Sequence, residues 1–374
     1  MSIAHNYLRT RVRPRAVADN YRLLRRHGGH VIPVIKADAY GHGLIPVARA
    51  LAEAGADTFA IGSVAEGAAL RQAEPDATIV SLLGPVLPED DDLVLTHNLV
   101  PFIHDFGQLD RLAALSARTG RSFSVALKFD TGMARLGFTE PDLPRLIARL
   151  GDIHNLTVRF VASHLATGDM PEDFDFVAEQ GRRFDIACQA LRQAGHAFEA
   201  SLCNSAGILA HARPDWPARR AGIALYGVNP FLGTDREALG QGLVPAMETL
   251  SRIVSVHDLP RGHSISYGRT YVADRDMRVA IVAAGYADAY SRGLSNTGFM
   301  CLAGRRVPIV GRVCMQLTAV DVSAVPEAAP GDTIYLLGGQ GLAAVTATDV
   351  AAWWGTISYE VFCLFGLNER EYVE

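Results

Sequence analysis

The sequence predicts an α/β chain: an N-terminal (β/α)8 TIM-type barrel followed by a C-terminal, mostly β domain. Three observations carry that expectation: the length, an alternation of short β-rich runs with helical patterns in the first part of the chain, and the loss of that alternation afterwards. The chain has 374 residues, 49% of them hydrophobic and 20% charged, which suits a globular molecule of about two domains. Its formal net charge of −5 comes with scattered Lys and Arg. There is no basic stripe for nucleic acid and no basic amphipathic helix for a membrane surface, so a small molecule is the expected partner. The opening Met1-Ser-Ile-Ala-His-Asn-Tyr-Leu-Arg-Thr-Arg-Val-Arg-Pro-Arg15 is basic but lacks the apolar stretch of a signal peptide, and no apolar run of transmembrane length follows. A cytoplasmic location is expected. The five cysteines, Cys188, Cys203, Cys301, Cys314 and Cys363, are odd in number and without a Cys-x-x-Cys pair, which points to buried thiols rather than disulfides or a metal site.

In chain order, the candidate barrel strands are Val31-Lys36, Thr58-Ser63, Thr78-Leu83, Val100-His104, Ser124-Asp130, Val158-Leu165, Glu199-Asn204 and Ile223-Gly227. Segments with apolar positions at helical spacing lie between them, among them Leu44-Ala54, Ala65-Gln72 and Arg182-Gln193. Eight such strands in about 230 residues suit a closed barrel, with an open doubly wound sheet as the alternative. Pro33 conflicts with a central strand because it has no N–H, and is expected at a distorted strand start. Beyond Gly227, Leu250-His257, Met277-Ala284, Arg306-Val313, Ala319-Val322 and Thr333-Leu337 read as strands between Gly and Pro turns. The Pro- and Gly-bearing loop Asn229-Gly242 holds the boundary, dividing the chain into residues 1–235 and 236–374.

Lys36 ends the apolar run in Val31-Ile-Pro-Val-Ile-Lys-Ala-Asp-Ala-Tyr-Gly-His-Gly43. The C-terminal ends of barrel strands are where catalytic groups sit. A lysine with its stem in apolar surroundings loses preference for the charged form, and its amine can then form an imine with an aldehyde such as pyridoxal phosphate. A snorkelling lysine that merely caps a strand end is the alternative. Other strand ends carry polar groups as well. Ala126-Leu-Lys-Phe-Asp-Thr-Gly-Met-Ala-Arg-Leu-Gly-Phe138 places Lys128 in the barrel wall and Arg135 beyond it, where an ion pair with Asp130 is the plain structural reading. His164 ends the next strand, Asn204 and Ser205 follow another, and Arg219-Arg-Ala-Gly-Ile-Ala-Leu-Tyr-Gly227 precedes and enters the last. Ser205 and the N–H groups near Gly222 and Ile223 fall where barrels commonly cradle a phosphate. An imine-forming lysine, a phosphate cradle and several donors around one mouth are what a bound pyridoxal phosphate needs.

On Val34-Ile-Lys-Ala-Asp-Ala-Tyr-Gly-His-Gly43, Leu127-Lys-Phe-Asp-Thr-Gly-Met-Ala-Arg-Leu-Gly-Phe138, Ser163-His-Leu-Ala-Thr167, Asn204-Ser205, Gly222-Ile-Ala-Leu-Tyr-Gly227, Ser264-Ile-Ser-Tyr-Gly268, Gly285-Tyr-Ala-Asp288 and Pro308-Ile-Val-Gly-Arg-Val-Cys-Met315, the sequence resembles alanine racemase. That family is a pyridoxal-phosphate-dependent isomerase built of a barrel and a β domain, and the resemblance spans nearly the whole chain. It implies that Lys36 holds the cofactor and acts as one acid/base, while Tyr267 of a second subunit acts as the other, on the opposite face of the substrate. It implies cofactor contacts from Tyr40, His164, Asn204, Ser205, Arg220, Gly222 and Ile223. Arg220 would face the pyridine nitrogen and His164 would support it. Arg135, Tyr286 and Met315 would meet the substrate, and Lys128 matches a lysine that is carbamylated in some members. The implied protein is a cytoplasmic homodimer with shared active sites that interconverts L-alanine and D-alanine, either supplying D-alanine as a peptidoglycan precursor or consuming it in catabolism.

Two stretches depart from the family pattern. Cys314-Met-Gln-Leu317 has Gln316 where an Asp is usual, which bears on the choice between alanine and serine. The end of the chain, Tyr359-Glu-Val-Phe-Cys-Leu-Phe-Gly-Leu-Asn-Glu-Arg-Glu-Tyr372, lacks the usual Arg-Val-Pro-Arg. Two other readings belong to different classes. A pyridoxal-dependent decarboxylase of basic amino acids would carry a Gly-rich phosphate loop, and no such run is present. A non-catalytic pyridoxal-phosphate carrier would be a single barrel without the domain that holds Tyr267.

Overall fold

The computed structural model describes residues 6–374, so the first five residues of the basic opening stretch lie outside the described residues. The polypeptide divides into two compact units. One comprises Ala16–Ala39 and Leu44–Val244; the other comprises the described residues up to Arg15, Tyr40–Gly43 and Pro245–Glu374. The first strand, β1 (Arg9–Val12), belongs to the second unit because its backbone pairs there, although a division at residue 235 groups it with the barrel.

The barrel unit contains β2 (His30–Pro33), β3 (Thr58–Ile61), β4 (Thr78–Ser81), β5 (Val100–Ile103), β6 (Phe123–Lys128), β7 (Leu156–Ala162), β8 (Glu199–Ser201) and β9 (Ala218–Ala221). β3 to β8 form one parallel sheet in sequence order, and β2 pairs in parallel with β9. Two backbone bonds complete the ring: Ile35 N–H donates to Ala60 O at 2.8 Å, and Arg220 N–H to Cys203 O at 2.9 Å. Ile32, Ala60, Val80, Phe102, Phe160 and Ala162 line the interior together with Ser201 and Arg220, a packed core as such barrels require.

Two expectations about this unit need correction. Ile223–Tyr226 is a turn of 3-10 helix, and the eighth barrel strand is Ala218–Ala221. Gly222, at φ −115° and ψ −104°, ends the strand, and the Ile-Ala-Leu-Tyr run is apolar because all four residues are buried. Tyr226 donates its phenol proton to Val34 O at 3.0 Å. Pro33, in turn, is the last residue of β2, so its missing N–H falls where the ladder finishes.

The helices bury apolar stripes against the sheet. Phe106–Thr119 buries Leu109, Leu112 and Leu115, starts on the Asp105 side chain and stops at Gly120, whose φ of +67° suits a glycine at a helix end. Phe174–Gln193 buries Val177, Gly181, Phe184, Cys188 and Leu191, and Gln180 within the same stripe. At the N-terminal ends of the strands, His30 Nδ1 lies 2.8 Å from Glu199 Oε2 and its Nε2 lies 3.4 Å from Asp57 Oδ1.

In the second unit, β1 pairs antiparallel with β10 (Met247–Leu259). The long β10 also pairs with the strands Met277–Val282 and Thr333–Leu337. The C-terminal strand Glu369–Tyr372 runs parallel to β1. Of the strands expected here, Thr333–Leu337 has the expected ends, whereas Phe299–Leu302 and Glu369–Tyr372 have no counterpart in the sequence reading. Among the described residues no helix is long and apolar enough to cross a membrane.

Candidate active site

Lys36 is the third residue beyond the end of β2 and is half-buried. Directly after it, Ala37, Asp38, Ala39 and Tyr40 all take φ between 52° and 54°, and Gly41 takes 78°. This is a turn of left-handed helix. For non-glycine residues that conformation costs roughly 1–2 kcal/mol per residue, so it must be held by bonds. Ala39 N–H donates to Ile35 O at 2.9 Å. Asp38 N–H donates to Glu66 Oε1 at 3.2 Å, and Asp38 Oδ1 accepts Leu44 N–H at 2.6 Å. Glu66 also accepts the N–H groups of Gly62 and Ser63 on Oε2, at 2.8 and 3.1 Å. It is the third residue of a helix capped by Ser63, so one carboxylate secures both the loop after β3 and the turn after Lys36.

Arg220, on β9, is buried. Nη1 donates to Ser201 O at 2.9 Å and to Ser201 Oγ; Nη2 donates to Ser163 O and lies 3.3 Å from His164 Nδ1. Nε is left as the guanidinium nitrogen without a hydrogen bond to the described residues. Burial lowers the ionisation of Arg220 to about 10, and it remains a cation at neutral pH. His164 is pushed well below the usual histidine value, first by burial and then by the charges of Arg220, Lys128, Arg135 and Lys36. Those cations therefore share one end of the barrel with it.

Lys128 closes β6. Its Nζ donates to Phe129 O at 2.7 Å, and burial, with the Arg220 charge second, draws its pKa down to about 7. The expected ion pair with Asp130 does not form. Asp130 Oδ1 instead accepts the N–H groups of Gly132 and Ala134, at 2.8 and 3.1 Å. Burial alone would raise the Asp130 pKa, but these backbone bonds together with the Lys128 charge leave it lowered. Arg135 is exposed on the loop that they shape.

After β8, the Asn204 side chain accepts Gly207 N–H at 2.9 Å and starts the short helix Ser205–Ala210. Ser205 Oγ accepts Gly222 N–H at 2.9 Å and Ala224 N–H at 3.2 Å. Ile223 lies in sequence between these two donors, at the start of the 3-10 turn. With two bonds accepted, the Ser205 hydroxyl keeps its proton for an acceptor.

The remaining candidates lie in the second unit. Tyr40 packs its ring against that of Tyr359, with the centroids 5.7 Å apart and the planes tilted by 42°, and burial raises its phenol pKa. Tyr267 is 73% exposed, and Tyr286, Met315 and Leu317 are exposed as well. Tyr286 N–H donates to Cys314 O at 3.1 Å and Ala287 N–H to Met315 O at 2.9 Å, which ties the Tyr286 turn to the Cys314–Leu317 loop that bears Gln316. The buried Asp288 fixes that turn by accepting Gly285 N–H at 2.9 Å and Asn6 Nδ2–H at 3.1 Å.

Comparison with known proteins decides the family. A model of the alanine racemase N-terminal domain matches residues 12–230, and one of its C-terminal domain matches residues 246–372. The chain belongs to the alanine racemase family. An alanine racemase of Nitratidesulfovibrio vulgaris (strain DSM 19637 / Miyazaki F) is 53% identical over 374 residues, the whole of both chains. The alanine racemase of Streptomyces coelicolor A3(2) superimposes with a TM-score of 0.90 at 31% identity, covering 98% of each chain. That of Bartonella henselae, solved with covalently bound pyridoxal phosphate, gives 0.85 at 26% identity, over 98% of this chain and 99% of that one. The barrel-plus-β architecture expected from the sequence is that of alanine racemase.

Three residues that hold or touch the candidate residues were missed by sequence reasoning: Glu66, Gln180 and Tyr359. Glu66 has a legible signal, the Ser63-Val-Ala-Glu66 pattern of a capping box. Gln180 is an amide inside an apolar helical stripe, a weak signal. Tyr359 has none, because its pairing with Tyr40 spans most of the chain.

Proposed function

We propose that the chain racemises alanine with pyridoxal 5'-phosphate held covalently by Lys36, and that Lys36 and Tyr267 are its two proton-transferring groups. The observation that carries this is Arg220, whose outer nitrogens are tied to the barrel wall while Nε stays available. The residues fit the cofactor: a strand-end amine, an available guanidinium N–H for a ring nitrogen, and, next to Gly222 and Ile223, a Ser205 hydroxyl whose proton is left for an anionic group because the Gly222 and Ala224 amides occupy its lone pairs. When bound, the cofactor withdraws electrons from the substrate α-carbon and acidifies its proton.

The protein supplies the rest. A guanidinium is always charged and gives no proton to the ring nitrogen, which restrains electron withdrawal and favours proton return at the α-carbon over side reactions. Lys36 Nζ removes or returns the α-proton on one face and the Tyr267 phenol does so on the other; transfer on opposite faces inverts the centre. Tyr40, His164 and Asn204 support the cofactor site, while Arg135, Tyr286 and Met315 take the substrate. Lys128, with its pKa near 7, has the free amine that carbamylation needs.

Tyr267 comes from a second copy in a homodimer. Support for this is the exposed cluster of Tyr267, Tyr286, Met315 and Leu317 in the β unit and the exposed Leu83, Val86 and Leu87 after β4, apolar surface of the kind that marks an interface. The reading includes a cytoplasmic enzyme that provides D-alanine for the cell wall, with no membrane or nucleic-acid partner.

The test mixes two inactive variants, Lys36→Ala and Tyr267→Phe, under conditions that exchange subunits, and follows loss of optical rotation from pure L-alanine and pure D-alanine. Shared sites restore one intact site per heterodimer, about half the native activity. A mixture that stays dead after exchange has been verified overturns the sharing, and a native protein that leaves both enantiomers unchanged overturns the activity.

A further inference from the structure

The helix Phe174–Gln193 carries a glutamine that is 0% exposed, a rare state for that residue type. Gln180 Oε1 accepts Ala166 N–H at 2.9 Å; its Nε2 donates to His164 O at 3.0 Å and to Thr131 Oγ1 at 3.3 Å. One amide therefore joins the loops that follow β6 and β7. From Thr131 the hydrogen bonds continue. Thr131 Oγ1 lies 2.8 Å from Ser163 Oγ, and Ser163 Oγ donates to Phe129 O at 2.9 Å. Because Nε2 has only protons to give and Phe129 O only lone pairs, every donor in the chain is fixed: Gln180 to Thr131, Thr131 to Ser163, Ser163 to Phe129 O. That last carbonyl also accepts Lys128 Nζ. Ser163 O and His164 Nδ1, on the same segment, both receive Arg220 Nη2. Arg183, one turn along the helix, adds a bond from Nη1 to Thr131 O at 3.2 Å.

We propose that Gln180 is a positioning residue for the racemisation: it sets the spacing of the β6 and β7 ends, so that Ser163 and His164 aim Arg220 and Phe129 O holds Lys128. The inference rests on Arg220 facing the cofactor ring. A space-filling role in the helix stripe is the competing account, and it needs only volume. Gln180→Met keeps the volume and abolishes the hydrogen bonds.

In the folded variant the expected result is a kcat about 10- to 100-fold lower with KM for alanine within about threefold, the effect of a small misplacement of groups around the reacting centre. The second readout does not depend on activity. Competitive acetylation of the full chain without added cofactor, mapped by mass spectrometry across pH, reports the ionisation of Lys128; its midpoint should rise from about 7 as the Arg220 charge moves away. If either kcat or the midpoint is unchanged, Gln180 is a filler and the proposal is overturned. Should Gln180→Met fail to fold, Thr131→Val cuts the same hydrogen-bond chain without touching the helix, and is judged by the same two readouts. A native protein without racemase activity would overturn the functional reading, while the acetylation midpoint would still judge Gln180.

Discussion

Nδ1 of His164 lies 3.3 Å from Nη2 of Arg220, a nitrogen that has protons and no lone pair. The imidazole must therefore accept at Nδ1 and carry its proton on Nε2. Burial, then the nearby cations, keep it neutral. Its folded pKa is depressed, so the unfolded chain is the better proton binder, and stability falls as pH drops below about 6.5. Nitrogen NMR should show no His164 titration down to about pH 5, and His164→Gln should remove part of the acid-side loss of stability. A His164 titration near the ordinary value contradicts this.

Ala37 is exposed and sits at φ 52°, so its methyl contributes strain and little packing. Ala37→Gly should leave stability unchanged or raise it by up to about 1 kcal/mol, whereas Ala37→Val, branched at Cβ, should cost more than about 1 kcal/mol. Urea midpoints decide between these. The glycine variant should also be the slower enzyme, because Lys36 is then followed by a turn that is free to relax. Equal destabilisation by both substitutions would show that the left-handed turn carries no strain.

Lys128 has a folded pKa of about 7 against an ordinary value of 10.5. Between those values the unfolded chain binds more protons than the folded one, so stability rises with pH across that window. Lys128→Met should flatten this part of the stability profile and give its largest gain at neutral pH and below. A profile unchanged by the substitution would place the charged ammonium in the folded barrel without penalty.

His30 behaves in the opposite sense. The Glu199 hydrogen bond raises its pKa against the effect of burial, with Asp57 contributing less. Its contribution is complete below about 6.5 and is lost as pH rises through the raised folded value. His30→Phe should cost about 1 kcal/mol at pH 5.5 and less at pH 8, read as the difference between denaturation midpoints. A larger loss at the alkaline end would reverse the assignment.

The barrel was legible because each strand pairs with a neighbour close in sequence and ends in a polar group that its apolar run does not need. Lys36, Lys128, His164 and Ser205 were all found that way. The last strand was misplaced because Ile223–Tyr226 is apolar for burial in a 3-10 turn, while the true strand Ala218–Ala221 contains two arginines whose heads find carbonyl partners on neighbouring segments. Sequence pattern cannot distinguish an arginine with buried partners from an exposed one. The second unit was less legible still. β1 and the strand Glu369–Tyr372 pair across nearly the full length of the chain, a relation that leaves no local trace.

The four residues Tyr40–Gly43 belong to the β unit although barrel segments flank them on both sides. His42 packs edge-on to Phe362 at 4.9 Å, Arg370 donates to Gly41 O at 3.3 Å, and the Tyr372 hydroxyl sits where a side chain on Gly43 would begin. The gene therefore has no clean place to be cut. A fragment ending near residue 244 would retain Lys36 but strand the next few residues without the surface that shapes them, and trimming the last few codons would disturb a loop encoded more than three hundred positions earlier. For anyone fusing, splitting or permuting this chain, its two ends and its lysine loop have to travel together.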